Sequence, residues 1–179
     1  MATVRRATLA DADAIGRVHV RAWQAAFRGV VPDEVLDELD PAQRAQRWRE
    51  WLLDPPTDQE LLVAVDAGAV VGFALVGPLR GGASEVGEPE DGELYAINLT
   101  PEAWGRGTGS ALLTRAEAQL LARGYRTLWL WIARDNQRAR AFYERHGWVT
   151  AGEVRTGGLV GSSVEEVAYT RSPPSTPFD

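Results

Sequence analysis

Two amino acids are missing from this 179-residue chain, and each absence removes a class of chemistry. All 19 basic residues are arginine, so there is no lysine, and there is no cysteine. Without lysine there is no phosphate-loop lysine, no kinase lysine and no pyridoxal Schiff base. Without cysteine there is no thiol nucleophile, no disulfide and no thiolate metal site, and no cysteine pairing from which to read a redox compartment. Histidine is scarce. His19 and His146 stand on separate elements and cannot supply a three-histidine metal centre, so no metal is expected. The G-x-S-x-G elbow of serine hydrolases does not occur. No stretch approaches the roughly 18 apolar residues of a membrane span, and the N-terminus lacks a basic head before an apolar run. The expectation is a cytoplasmic protein without membrane contact.

Acidic residues outnumber basic ones, 25 to 19, for a formal charge of −6. A nucleic-acid surface needs clustered positive charge, so no nucleic-acid partner is expected, whereas a cationic substrate agrees with the balance. The hydrophobic share of 45% and charged share of 25% fit one soluble domain with a sizeable core. That domain is expected over 1–171, followed by a proline-rich tail over 172–179. No repeat or low-complexity segment breaks the chain.

Hydrophobic periodicity orders the elements. Thr3 to Ala7 reads as a strand, and Asp11 to Phe27 as a helix with Ile15, Val18, Ala22 and Ala26 on one face. A helical region over Asp33 to Leu39 precedes a third helix, capped by Asp40, opened by Pro41 and running to Leu53. Leu61 to Val65 and Val70 to Val76 form a hairpin. Gly77 to Asp91 reads as a long glycine-, proline- and acid-rich loop. Leu94 to Leu99 is a central strand, and Thr108 to Arg123 is a helix stopped by Gly124, with Leu113, Ala116 and Leu120 inward. Leu128 to Ile132 is apolar on both faces and lies mid-sheet, parallel to the previous strand by the crossover rule. A helix over Gln137 to His146 and a hairpin of Trp148 to Val154 with Val164 to Tyr169 complete the pattern.

Between the central strand and its helix lies Trp104-Gly105-Arg106-Gly107-Thr108-Gly109-Ser110. Its glycines keep side chains from shielding the backbone and allow the positive φ at which successive N–H groups converge on an anion. The helix start behind them adds partial positive charge. The turn is read as a phosphate site. A dinucleotide-binding reading fails, because G-x-G-x-x-G begun at Gly105 ends on Ser110 and the next strand carries no terminal acid.

Downstream runs Asn136-Gln137-Arg138-Ala139-Arg140-Ala141-Phe142-Tyr143-Glu144-Arg145-His146-Gly147-Trp148, of the form N-x-x-A-x-x-F-Y-x-x-x-G-W. With the strand Glu93 to Pro101 and the glycine turn, this resembles the core of the GCN5-related N-acetyltransferase (GNAT) superfamily, closely from Glu93 to Trp148 and loosely from Val4 to Tyr169. The resemblance implies an α/β (α+β) fold: a mixed, mostly antiparallel sheet with a splayed parallel central pair, flanked by helices. It implies acetyl-CoA as cosubstrate and a primary amine of a small molecule as acceptor. The family turn begins with Gln or Arg where this chain has Trp104, which removes one polar contact.

By the same resemblance, backbone groups of Ile97 and Leu99 face the pantetheine arm, with Pro101 unable to continue the ladder. The pyrophosphate falls on Gly105, Arg106, Gly107, Thr108, Gly109 and Ser110. Asn136 hydrogen-bonds the pantetheine, and Ala139 and Phe142 border it. Tyr143 is the expected proton donor to the leaving thiolate, its alternative being a core aromatic with a tied hydroxyl. Glu93 is the first choice of base and Glu165 or Glu166 the second; a solvated strand-end carboxylate is the competing reading of Glu93. Trp23, Phe27 and Arg28 are the expected acceptor wall. His19 and His146 receive no role, His146 reading as a helix-end cap. Direct attack in a ternary complex follows from the missing cysteine. A non-catalytic acyl-CoA sensor, an enzyme acting on peptides, and a homodimer stay open.

Overall fold

The computed structural model of the chain describes residues 2–80, 91–159 and 162–172. The expected loop over Gly77 to Asp91 falls largely outside the described residues, as does the tail beyond Ser172. The elements are β1 (Thr3–Arg6), α1 (Ala12–Ala26), α2 (Asp33–Asp37), α3 (Pro41–Leu53), β2 (Glu60–Asp66), β3 (Ala69–Pro78), β4 (Gly92–Leu99), α4 (Thr108–Ala122), β5 (Leu128–Ala133), α5 (Gln137–Arg145), β6 (Val149–Leu159) and β7 (Ser162–Arg171). Most expected boundaries hold within two residues. The last hairpin is the exception, extending well past Val154. Gly157 and Gly158 lie inside β6 and pair with Val164 and Ser163, so these glycines do not end the strand.

Local chemistry explains several ends. Asp40 accepts the Ala42 N–H at 2.8 Å and Pro41 fills the first helical position, so α3 starts there. The β2–β3 turn places Ala67 (φ 48°) and Gly68 (φ 81°) in the left-handed region, the pair of conformations a two-residue hairpin needs.

One mixed sheet orders the strands β1-β2-β3-β4-β5-β7-β6, antiparallel except for β4 and β5. Helices cover both faces. On one, Leu62, Ala74, Val76, Leu94, Leu130 and Ile132 pack with Leu112, Leu113, Ala116 and Leu120 of α4. On the other, Leu61, Val63 and Phe73 pack with Ile15 and Val18 of α1, and Trp48 and Trp51 of α3 lean on them. The α1–α3 approach is close enough that a Cβ on Gly16 would lie 2.6 Å from the Ala45 nitrogen.

Two irregularities in β4 prepare the site. Its register with β3 slips between Leu75 and Val76, which pair with Ala96 and Leu94 and leave Tyr95 as the extra residue. Such a bulge bends and twists its strand. The second is that β4 pairs with β5 only at Gly92↔Leu128 and Glu93↔Trp129. Beyond that point the two strands diverge, β4 continuing to Leu99 and β5 to Ala133, with no pairing between them.

Candidate active site

The divergence opens a cleft of about 420 Å³. One wall is β4, represented by Ile97, Asn98 and Leu99, and the other is α5, represented by Asn136, Ala139, Phe142 and Tyr143. The glycine turn and the start of α4 form its mouth, and Ala22 and Ala26 of α1 close its far side.

The turn is shaped as its composition predicts, with one change. Gly105 and Gly107 have φ of 70° and 81°, but Gly109 lies inside α4 with ordinary helical backbone. Its need is for space: a Cβ there would sit 3.3 Å from the Phe142 ring and 3.8 Å from Leu99. Gly107 caps α4, and the first intrahelical bond runs from the Ala111 N–H to the Gly107 carbonyl at 3.0 Å. The N–H groups of Thr108, Gly109 and Ser110 therefore have no acceptor within the helix, and they sum with the helix dipole at the cleft mouth.

Tyr143 is 8% exposed and belongs to the core that includes Trp148 and Leu113, yet its hydroxyl makes no hydrogen bond with the described residues. Burial pushes its pKa well above the usual phenol value, and the nearby Glu117 charge adds to the rise. It is thus a protonated donor facing the cleft. Asn136 is only half available: its side-chain oxygen caps α5 by accepting the Ala139 N–H at 3.0 Å, leaving its NH₂ to serve the cleft.

Trp104 does more than omit a polar contact. Its indole N–H donates to the Leu99 carbonyl at 3.2 Å, tying the turn to the end of β4. Over its ring lies the Arg138 guanidinium, 3.4 Å from the centroid. His146 also exceeds the capping role read from sequence. Its Nδ1 lies 2.7 Å from the Phe142 carbonyl, which can only accept, so Nδ1 carries the proton. Nε2 is hydrogen-bonded with the Ser110 hydroxyl at 2.8 Å, joining the end of α5 to the start of α4.

Of the residues expected at the cofactor, Ile97, Leu99, Trp104, Gly105, Gly107, Gly109, Ser110, Asn136, Ala139, Phe142 and Tyr143 line the cleft; Arg106 and Thr108 do not. Trp23, Phe27 and Arg28 stand outside it. Trp23 packs edge-on against His19 and Phe27, and Arg28 pairs with Asp33 and Asp37 at 3.2 and 2.5 Å. The helix α1 meets this cleft through Ala22 and Ala26. Ala103, Asn98, Arg138, Arg145 and His146 are lining residues that sequence reasoning passed over. The spacing of Arg138 and Arg145, seven apart on one helix and in line with Phe142, was the available signal.

Glu93 is fully buried outside the cleft lining. Its carboxylate accepts from the Arg80 backbone N–H (2.9 Å), Nε (3.2 Å) and a terminal nitrogen (2.6 Å), and the Arg80 guanidinium also lies 4.1 Å over the Tyr95 ring. The solvated-surface reading is thereby corrected: the group is sealed and paired. Glu165 pairs with Arg134, and Glu166 with Arg155 at 2.7 Å. No cluster of three or more metal-ligating side chains occurs among the described residues, nor any helix long and apolar enough to cross a membrane.

This geometry has relatives. The chain matches the model of the acetyltransferase (GNAT) family over residues 20–148. It is 36% identical over 137 residues to the "uncharacterized N-acetyltransferase YuaI" of Bacillus subtilis (strain 168), covering 76% of this chain and 74% of that one. Among solved structures, the PaiA N-acetyltransferase of Thermoplasma acidophilum, in complex with coenzyme A, is similar with a TM-score of 0.72 at 16% identity, over 97% of this chain and 99% of that one. A phosphinothricin acetyltransferase of Sinorhizobium meliloti, in complex with acetyl-CoA, gives 0.69 at 26% identity over 96% and 88%. The chain belongs to the acetyltransferase (GNAT) family and is an acetyltransferase.

Proposed function

We propose that this acetyltransferase moves the acetyl group of acetyl-CoA to the primary amine of a small molecule by direct attack in a ternary complex. The observation that carries the reading is the continuous path from the unpaired edge of β4 to the open N-terminus of α4. Unpaired backbone along a half-buried strand calls for a partner, and the amide-bearing pantetheine arm can supply one. The diphosphate then meets the N–H groups of Thr108, Gly109 and Ser110, where an anion gains from both hydrogen bonding and the dipole. The phosphinothricin acetyltransferase named above supports a small acceptor.

In the reaction the amine nitrogen attacks the thioester carbonyl, a tetrahedral oxyanion forms, and the carbon–sulfur bond breaks as the thiolate leaves. Backbone N–H groups between Ile97 and Leu99 supply the oxyanion donors. Tyr143 donates a hydrogen bond to the leaving sulfur. Burial raises the proton affinity of phenol and thiolate together, so the dry site does not forfeit the match between them. The amine proton is assigned to Glu93 acting through water, a role that requires Arg80, whose side chain is half-exposed, to move off the carboxylate it seals. No cysteine is present to carry an acetyl-enzyme.

A thiol-release assay over a panel of amines, run beside calorimetric titration with CoA, tests the reading. Release that depends on one amine class supports it. CoA binding without release on any amine replaces it with an acyl-CoA sensor.

A further inference from the structure

Arg138 and Trp104 belong to opposite sides of the cleft. Trp104 follows β4 and opens the glycine turn, while Arg138 lies in the first turn of α5, beyond β5. Their stacked side chains, 3.4 Å from guanidinium carbon to ring centroid, both line the cleft, so the pair bridges its two walls. The indole is itself held by the Leu99 carbonyl.

The charge of Arg138 is uncommitted. Several arginines elsewhere in the fold are matched with acids, as in Arg5–Asp11, Arg6–Glu60, Arg80–Glu93 and Arg171–Glu117, and others, such as Arg17 and Arg47, stand outside the cleft without such a pair among the described residues. Arg138 and Arg145, both cleft-lining and seven residues apart on α5, form no ion pair with a described carboxylate. At a formal charge of −6 the chain as a whole disfavours a polyanion, and two unpaired cations lining one cleft supply positive charge locally. Stacking supplies geometry as well as charge. A guanidinium lying flat on a ring keeps its in-plane N–H groups free at the edge, where they can form a fork to phosphate oxygens.

We infer that Arg138 is a phosphate ligand for the nucleotide end of the cosubstrate, and that Trp104 is a positioning residue that holds its guanidinium across the cleft. The inference rests on the proposed use of acetyl-CoA. In this chain the turn position that holds Gln or Arg in the family pattern is a ring, and the cation reaches the same mouth from α5. The diphosphate and the 3′-phosphate share the required chemistry, and the experiment separates them.

Arg138→Gln, Trp104→Leu and Trp104→Phe are compared with the unmodified chain by titration with CoA and dephospho-CoA, and by turnover of acetyl-CoA and of acetyl-pantetheine, which lacks phosphate. Arg138→Gln is expected to weaken CoA binding roughly tenfold to a hundredfold, the scale of a lost charge-assisted hydrogen bond, with a much smaller loss in kcat/KM for acetyl-pantetheine. Trp104→Leu is expected to weaken CoA about threefold to fivefold, and Trp104→Phe to restore most of that through its smaller ring. If dephospho-CoA shows the same Arg138→Gln penalty, the diphosphate is the ligand; if the penalty vanishes, the 3′-phosphate is. CoA affinity within twofold of the unmodified chain, or equal losses for acetyl-pantetheine, overturns the inference. Failure of the unmodified chain itself to bind CoA overturns the proposed function as well, and thus marks the two failures apart.

Discussion

Removing the hydroxyl of Tyr143 separates catalysis from packing more cleanly than any other change to this site. The ring belongs to the core beside Leu113 and Trp148, but its hydroxyl has no hydrogen-bond partner among the described residues. Tyr143→Phe therefore keeps the ring contacts and breaks no protein hydrogen bond, so stability should change by less than about 0.5 kcal/mol in either direction. Activity responds differently. A hydrogen bond to a sulfur carrying negative charge is worth about 1.5–3 kcal/mol, which is roughly a tenfold to hundredfold loss in kcat if that bond forms only as the thiolate departs. KM for acetyl-CoA should stay within about threefold, because the ground-state thioester sulfur is a poor acceptor. Thiol release at saturating acetyl-CoA and thermal unfolding of the same preparation measure both quantities. A kcat within twofold of the unmodified chain removes Tyr143 from the chemistry. A kcat loss accompanied by a matching loss of stability would instead show that the ring, and not the hydroxyl, had been disturbed.

Gly16→Ala places a Cβ 2.6 Å from the Ala45 nitrogen and 2.7 Å from the Pro41 carbonyl oxygen, so α1 and α3 must separate. Overpacking of this kind costs about 1–3 kcal/mol, seen as a lower urea midpoint at unchanged m-value. Asp11 is held by the Arg5 side chain, opposed by burial and helped by the Thr8 N–H and hydroxyl, and its pKa falls to about 2. The folded value lies below the unfolded one, so this stability is present above pH ~4 and lost as pH falls through about 2. Asp11→Asn should erase about 1–2 kcal/mol at neutral pH and less at pH 2, by urea melts at both. Burial lowers the His19 pKa to about 3, with the Arg44 and Arg47 charges adding to the shift. The unfolded chain therefore takes the proton first, and stability should fall by up to about 1.4 kcal/mol per pH unit between pH ~6.5 and about 3. His19→Gln should flatten that slope; an unaltered slope would exclude His19 as its source. Glu93→Gln should lower kcat/KM at pH 7 by at least about tenfold if the carboxylate handles the amine proton through water. An unchanged value would leave Glu93 only its structural pairing with Arg80.

What could be read from the sequence alone follows the range of the interactions concerned. The ends of α3, the β2–β3 turn and the start of α4 are decided by neighbours in the chain, such as Asp40-Pro41, Ala67-Gly68 and Gly107-Thr108, and local chemistry suffices for each. The parallel pair also followed, because a helix between two apolar strands leaves little choice of topology. The bulge at Tyr95 did not. It consists of one residue in excess relative to a partner strand, and a single strand carries no record of its partner's register. The same limit explains Glu93. Its position at the head of β4 was legible, but its burial depends on Arg80, which reaches it from the segment after β3.

The acceptor wall expected from sequence does not coincide with the cleft lining. Trp23, Phe27 and Arg28 are large enough to form a wall, and in the fold the rings of Trp23 and Phe27 pack on each other while Arg28 meets the acids of α2. Large side chains on α1 fill space, while Ala22 and Ala26 leave it, and a cleft is bounded where side chains are small. The turn at Trp104 shows the converse. Substituting a ring for a polar residue reads as a loss when the turn is considered alone. Once α5 is folded against it, the ring becomes the surface on which Arg138 rests, so the polar function is displaced to another element and not deleted. A motif position of this kind is defined by the polar N–H groups delivered to the cleft, and two residues far apart in the chain can deliver them together.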